Sequence, residues 1–417
     1  MNNTENIQTK TLKSGIRVVH KQIPATRVGH CGFVIHAGSR DEHPDAIGAA
    51  HFLEHMLFKG TQKRKARQIL NRMDEVGAEI NAYTTKEHTS VYSSFLDQHL
   101  NRAIELLCDI CFHSTFPANE MVKEKKVVLE EYEMYLDSPD ESIYDEFSEL
   151  LFKKHALGHN ILGTRDSING FTAAQLQHFV QHNYTAENLV FSSTGNFTLQ
   201  QVLDILEPEL SHIRFPKHNR TRKKPAAQKT FEKTVKRSFV QAHCIMGTRA
   251  YASSHKNRMA LLLLNNYLGG PALNSRLNIS VREKYGYTYQ IESSYVPYSD
   301  SGMFTIYLGT DPVYLNRCVD LIEKELRTVC TTSFSSAKLQ AAKKQLIGQI
   351  SIAEENRSSL MLALGKSMCD FNRVDTLEQL FKKVEAITPK QLLESANEIM
   401  QPDDLSRLIY LPDIDKE

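Results

Sequence analysis

The sequence predicts an α+β protein made of two homologous α/β-sandwich-like halves in tandem, each an antiparallel sheet packed with helices. Three observations predict it. Strand-like and helix-like stretches follow one another in the same order twice along the chain. Period-two alternation marks paired strands in each half. At 417 residues the chain is also longer than one hydrophobic core usually serves.

In the first half, "CGFVIHAGSR" reads as a strand, followed by a helix around "GAAHFLEHMLFKG". A strand pair, "AEINAYTTKEHTSVYSSFL", comes next, then two helices, "QHLNRAIELLCDICF" and "NEMVKEKKVVLEEYEMYL". In the second half, "QAHCIMGTRA" reads as a strand. "HKNRMALLLLNNYLGG" is a helix that stops at its glycines. "YTYQIESSY" and "GMFTIYLGT" alternate like paired strands, and "PVYLNRCVDLIEKELRTVC" and "SAKLQAAKKQLIGQI" are helices. Each half closes with a helix opened by a threonine, "FTAAQLQHFVQHNY" and "ITPKQLLESANEIM", then a last strand, "NLVFSSTGN" and "LSRLIYLPD". The domains are therefore expected at 1–215 and 230–417. The basic, hydrophobe-poor join 216–229 between them reads as a solvated linker.

A formal net charge of +1 gives no electrostatic reason to expect nucleic acid or a membrane surface as partner. No run reaches the roughly 18 apolar residues of a membrane span. The polar start "MNNTENIQTKTLKSG" lacks the apolar core of a signal peptide, so a cytoplasmic location is expected. Seven scattered cysteines, an odd number, argue against a disulfide framework. Cys108 and Cys111 form a CxxC inside an apolar helix, where cysteine packs as a small hydrophobe.

The chemistry centres on Gly48 to Gly60. Four helical residues turn about 400°, so His51 and His55 project from one face, about one turn apart, and can reach one ion. Glu54 lies at the neighbouring angle, where it can act as a general base toward a metal-bound water. Phe52, Leu53, Met56, Leu57 and Phe58 supply an apolar wall. HxxEH alone admits a second reading, a core helix whose histidines are satisfied by hydrogen bonds. Burying two imidazoles and a carboxylate without a metal would be costly, which favours the zinc reading.

His-x-x-Glu-His is the inverzincin motif. "HFLEHMLFKGT", "GAEINAYTTKEHTSVY", "EKKVVLEEYEM", "HNILGTRDSI" and "LGGPALNSRLNISVREKYGYTY" together resemble the M16 metallopeptidases. That family includes pitrilysin and the processing peptidase β subunit; the length matches its short, two-domain members, not the long fused ones, and the resemblance covers nearly the whole chain. It implies half of a clamshell, with a catalytic first domain and a metal-free second domain that contributes substrate-binding residues. It implies one Zn²⁺ per chain, with Glu131 as third ligand and Glu124 as a supporting carboxylate. Asn81 and Ala82 match the strand that pairs with the substrate backbone, and Phe58 joins the substrate-binding candidates. Arg282 and Tyr289 match a pair that binds substrate and stabilises the oxyanion. Glu146 matches an acidic position for a basic substrate residue.

The implied activity is zinc-dependent endoproteolysis of peptides or unfolded polypeptide in a closed dimeric chamber. A homodimer is favoured over a heterodimer with an inactive paralogue. The alternatives are a non-catalytic peptide-binding or assembly subunit of the same family, and a zinc hydrolase of another fold. The repeat adds a further expectation. Superposing "AAHFLEHMLFKG" on "MALLLLNNYLGG" puts Leu261, Leu264 and Asn265 opposite His51, Glu54 and His55, and about Gln349 falls opposite Glu131. The second half lacks the donors for the same site.

Overall fold

The computed structural model describes residues 7–217, 220–227 and 229–413; the first six residues of the polar N-terminal stretch and residues 218, 219 and 228 of the join lie outside them. The first sheet contains β1 (Ile7–Thr11), β2 (Arg17–Gln22), β3 (Val28–Ile35), β4 (Glu79–Thr84), β5 (Thr89–Leu96) and β6 (Leu189–Gly195), in the order β1-β2-β6-β3-β5-β4. The second contains β7 (Glu232–Arg237), β8 (Ala242–Arg249), β9 (Thr288–Pro297), β10 (Gly302–Thr310) and β11 (Ser406–Pro412), in the order β7-β11-β8-β10-β9. Without β1, the two sheets have the same strand order, which establishes the tandem repeat. Each sheet carries one parallel pair, β2 with β6 and β7 with β11, against the wholly antiparallel expectation. In each half these are an opening and the closing strand, and parallel neighbours need the long crossover between them.

The first half supplies α1 (Ala49–Met56), α2 (Ala66–Asp74), α3 (Leu100–Phe112), α4 (Ala118–Leu136), α5 (Pro139–Leu151), α6 (Arg165–Gly170), α7 (Ala173–Asn183) and α8 (Leu199–Leu210). The second supplies α9 (Arg258–Gly269), α10 (Leu315–Thr331), α11 (Ser336–Glu354), α12 (Arg357–Phe371), α13 (Leu377–Glu385) and α14 (Pro389–Ile399). Thr172 and Thr388 do open α7 and α14. Each hydroxyl accepts from the amide three residues on, and that Gln175 or Gln391 side chain accepts back from the threonine N–H. Cys108 and Cys111 are buried in the first core.

The chain packs as two compact units that are not contiguous in sequence. One comprises 1–133, 159–222 and 352–376, the other 134–158, 223–351 and 377–417. This division differs from the halves 1–215 and 230–417. The first half sends α5 to the second sheet, where Ile143, Phe147 and Leu151 pack with Ile245, Tyr307 and Leu408. The second half sends α12 to the first sheet, where Leu364, Met368 and Cys369 pack with Val19, Val34 and Val190. Gly365 permits that approach, because a Cβ there would lie 2.5 Å from Val34 Cγ2.

The expectation of a solvated join needs correction at two arginines. Arg220 and Arg222 have side chains only 17% and 10% exposed, and both pair with Asp41. Arg222 also reaches Glu87 at 3.2 Å. Composition marks the segment as polar, but these guanidinium groups find buried carboxylates in the first unit.

Candidate metal centre

Helix α1 is short, and its N-terminus is held from outside. Gly48, at φ 91°, precedes the first turn with no side chain to cap it. A Cβ there would meet the Leu162 carbonyl oxygen at 2.6 Å, so "HNILGT" and the start of α1 interlock at glycine. Glu42 supplies the cap instead. Its Oε2 accepts from the Gly48 N–H and its Oε1 from the Ala50 N–H, both at 2.8 Å. Ala49, Ala50, Phe52, Leu53 and Met56 bury one face of the helix in the first core. That packing presents His51 and His55 together, with ring centroids 4.7 Å apart.

Helix α4 brings the third donor. Its buried stripe runs Met121, Glu124, Val128, and Glu131 continues that spacing while Glu130 is exposed. Glu131 Oε1 lies 3.6 Å from His51 Nε2, and Oε2 lies 3.4 Å from His55 Nε2. Donors in a tetrahedron with bonds of about 2.1 Å stand about 3.4 Å apart, so the three residues fit a zinc ion. Two further atoms suit such a site. His51 Nδ1 and Glu54 Oε2 are buried with no hydrogen-bond partner among the described residues.

His55 Nδ1 donates to Glu124 Oε1 at 2.9 Å, which leaves Nε2 facing Glu131. A carboxylate behind a ligating histidine fixes its tautomer and orientation. Lys59 holds the other Glu124 oxygen at 2.6 Å. Burial pulls the His55 imidazole down, but Glu124 and Glu131 outweigh it and push it up to about 9. Hydrogen bonds from His51 and His55 hold Glu131 well below the usual carboxylate range. Burial raises Glu124, and the His55 and Lys59 hydrogen bonds overcome it and lower its pKa. Glu124 and Glu131 thus favour the protonated form of His55 in the metal-free site.

A second group, His36, His88 and Asp370, also brings three donor atoms within 4.8 Å. It is a poor cation site. Arg222 Nη1 donates to His36 Nε2 at 2.9 Å, taking the lone pair a metal would need. Burial and that guanidinium drive the His36 imidazole well below its usual range. His88 Nε2 donates to Asp370 at 2.7 Å, which ties α12 to the first sheet's loop. The group reads as a structural lock. A cavity of about 520 Å³ beside Glu42 and Ala49 is not lined by His51, His55 or Glu131.

The remaining candidates fall in separate places. Asn81 and Ala82 lie on β4, the open edge of the first sheet, opposite Tyr92 and Val91 of β5. Phe58 packs half-buried against the first core. Arg282 and Tyr289 come together in the second unit, the guanidinium carbon 5.5 Å from the ring centroid, with Tyr289 84% exposed. Glu146, also in the second unit, is engaged by Lys233, Arg237 and the Tyr410 hydroxyl. Glu42 and Lys59 were not among the sequence candidates. An acidic residue shortly before a helix that lacks a capping side chain was the signal for the first. Lys59, four residues after His55, was the signal for the second.

The second repeat presents the same helix without donors. Leu261 and Leu264 are fully buried, and Asn265 nearly so. Helices α4 and α11 are both 19 residues long, which sets Gln349 against Glu131 and Ala342 against Glu124.

Fold and site together define a tandem α/β repeat that carries an HxxEH motif and, among the described residues, a donor triangle of zinc type. The insulinase profile (peptidase family M16) matches residues 17–165, and the peptidase M16 inactive-domain profile matches 170–346. A Bacillus subtilis (strain 168) protein named "Uncharacterized zinc protease YmxG" is 34% identical over 97% of this chain and 98% of its own length. A Mycobacterium tuberculosis (strain H37Rv) protein, also named an uncharacterized zinc protease, is 32% identical over 94% of this chain and 90% of its own. Two crystal structures share the fold at 21% identity and TM-score 0.89. One is a Helicobacter pylori protease, covering 98% of this chain and 100% of its own. The other is a Pseudomonas fluorescens peptidase M16 inactive domain, covering 98% of this chain and 99% of its own. The chain belongs to peptidase family M16.

Proposed function

We propose that this chain is a zinc metalloendopeptidase that hydrolyses peptides or unfolded segments. The observation that carries the proposal is the donor triangle of His51, His55 and Glu131, with Glu54 beside it. One zinc ion held there would polarise the scissile carbonyl and acidify a water. Glu54 takes a proton from the attacking water and returns it to the leaving amine nitrogen as the C–N bond breaks. Glu124 keeps His55 oriented. The open edge of β4 offers backbone groups near Asn81 and Ala82 to an extended substrate.

Arg282 and Tyr289 donate to the oxyanion, and the facing copy of a homodimer supplies them. Equal mixing of inactive Glu54→Gln and Arg282→Ala proteins should then regain peptidase activity through mixed dimers. A mixture as inactive as its parts would sink the shared site. The central test is Glu54→Gln alone. It should bind zinc as the parent does and lose turnover by about 10²–10⁴-fold on an internally quenched peptide. Undiminished hydrolysis would remove Glu54 from the mechanism.

A further inference from the structure

We infer that Glu42 is a positioning residue for the metal-bearing helix, setting where His51 and His55 stand. The inference rests on the zinc reading for its metal consequence, but its structural part stands on the chain alone. Helix α1 has only eight residues, a length at which an isolated helix is marginal in water. Its first amides have no partners within the helix. Glu42 accepts from two of them, and one belongs to Ala50, the residue before His51. Burial pushes the Glu42 carboxyl up to about 8, and the Ala50 and Gly48 amides pull against that by stabilising its charged form. Two bonds to successive parts of the first turn fix both the height of the helix and its rotation. A rotation of α1 would carry the two imidazoles away from Glu131.

The repeat provides an internal control. Helix α9 has the same place in the second sheet's half and begins at Asn257 with no side-chain cap. No Asp or Glu occurs between Ala250 and Arg258. The second half therefore forms this helix with no acidic residue in the segment that supplies Glu42 in the first half. At the place of Glu42 the second half has Ala252, just as Lys59 and Glu124 are matched by Gly269 and Ala342. Placement of metal donors tolerates errors of only a few tenths of an ångström, whereas packing leucines tolerates more.

The experiment compares Glu42→Ala, Glu42→Gln and Thr198→Ala in the full chain. Thr198 caps α8, remote in sequence from the donors, and its loss reports a general helix-cap defect. Amide hydrogen exchange of the metal-free proteins is read first. Glu42→Ala should speed exchange in α1 at least about ten-fold and leave α9 unchanged. Zinc affinity, from chelator competition, should weaken about 10–100-fold, the range for groups that orient ligands. The absorption spectrum of the cobalt-substituted protein should change as well. Glu42→Gln keeps one acceptor oxygen and should recover part of each effect.

Unchanged α1 exchange in Glu42→Ala overturns the inference, whether or not the protein binds zinc. So does a Thr198→Ala protein that loses zinc as readily as Glu42→Ala. If the parent chain bound no zinc while α1 still loosened in Glu42→Ala, the peptidase reading would fall and the anchoring of α1 would stand.

Discussion

Helices α1 and α9 hold matching places in two repeats of one strand order, yet only α1 carries polar donors. At the three motif positions α9 has Leu261, Leu264 and Asn265, all buried. Around them the same contrast continues, with Glu131 against Gln349, Glu124 against Ala342 and Lys59 against Gly269. The fold needs a helix at this point and is satisfied by apolar packing. The polar groups around α1 have no counterpart at α9, and they come as a connected set: His51, His55 and Glu131 together, Glu124 and Lys59 behind His55, and Glu42 at the helix start.

The strongest way to break the comparison is to convert α1 into its counterpart. His51→Leu with His55→Asn should abolish stoichiometric zinc, measured by elemental analysis, and remove peptidase activity. The far-ultraviolet circular dichroism should stay that of a folded protein, because α9 already packs with these residues. An unfolded double variant would show that the two helices are not interchangeable scaffolds.

A second contrast lies in the exchanged helices. Helix α12 brings Gly365 against Val34, whereas α5 brings Phe147 against Gly247, whose added Cβ would meet the Phe147 ring at 3.2 Å. Large meets small in each case, with the sizes reversed between helix and sheet. Gly365→Val should therefore overpack the first sheet and cost about 1–3 kcal/mol in urea unfolding. A neutral substitution would show that α12 can shift away from Val34.

The last contrast concerns acidity. In the metal-free protein His55 is raised to about 9 from a usual 6.5. Its contribution to stability is present below about pH 6.5 and is lost as pH rises through about 9. The melting temperature of the metal-free parent should fall across that window. His55→Asn, which copies Asn265, should flatten the fall. An unchanged profile in that variant would assign the pH dependence to other groups.

Much of this was legible in the chain. The repeated order of elements, the threonine caps of α7 and α14 and the shared face of His51 and His55 all follow from local periodicity and capping chemistry. Helix α12 was legible too but was missed. Met361, Leu364, Gly365, Met368 and Cys369 form a regular buried stripe, at a spacing that marks one helix face. The burial of Arg220 and Arg222 was not legible, because a basic stretch reads alike whether its partners are water or Asp41.

What the sequence determined by itself is local: period-two strands, period-3.6 helices, and a pair of imidazoles one turn apart. Those depend on spacing, which the chain states directly. What only the tertiary structure decided is which distant residues meet. Glu131, to which only the family resemblance and not its own spacing had pointed, closes the donor triangle from a second helix, and Glu42 accepts from two backbone amides of α1. Helices α5 and α12 leave their own halves to cover the other sheet. Such meetings depend on packing between separately formed elements, and one sequence alone carries no record of its contacts.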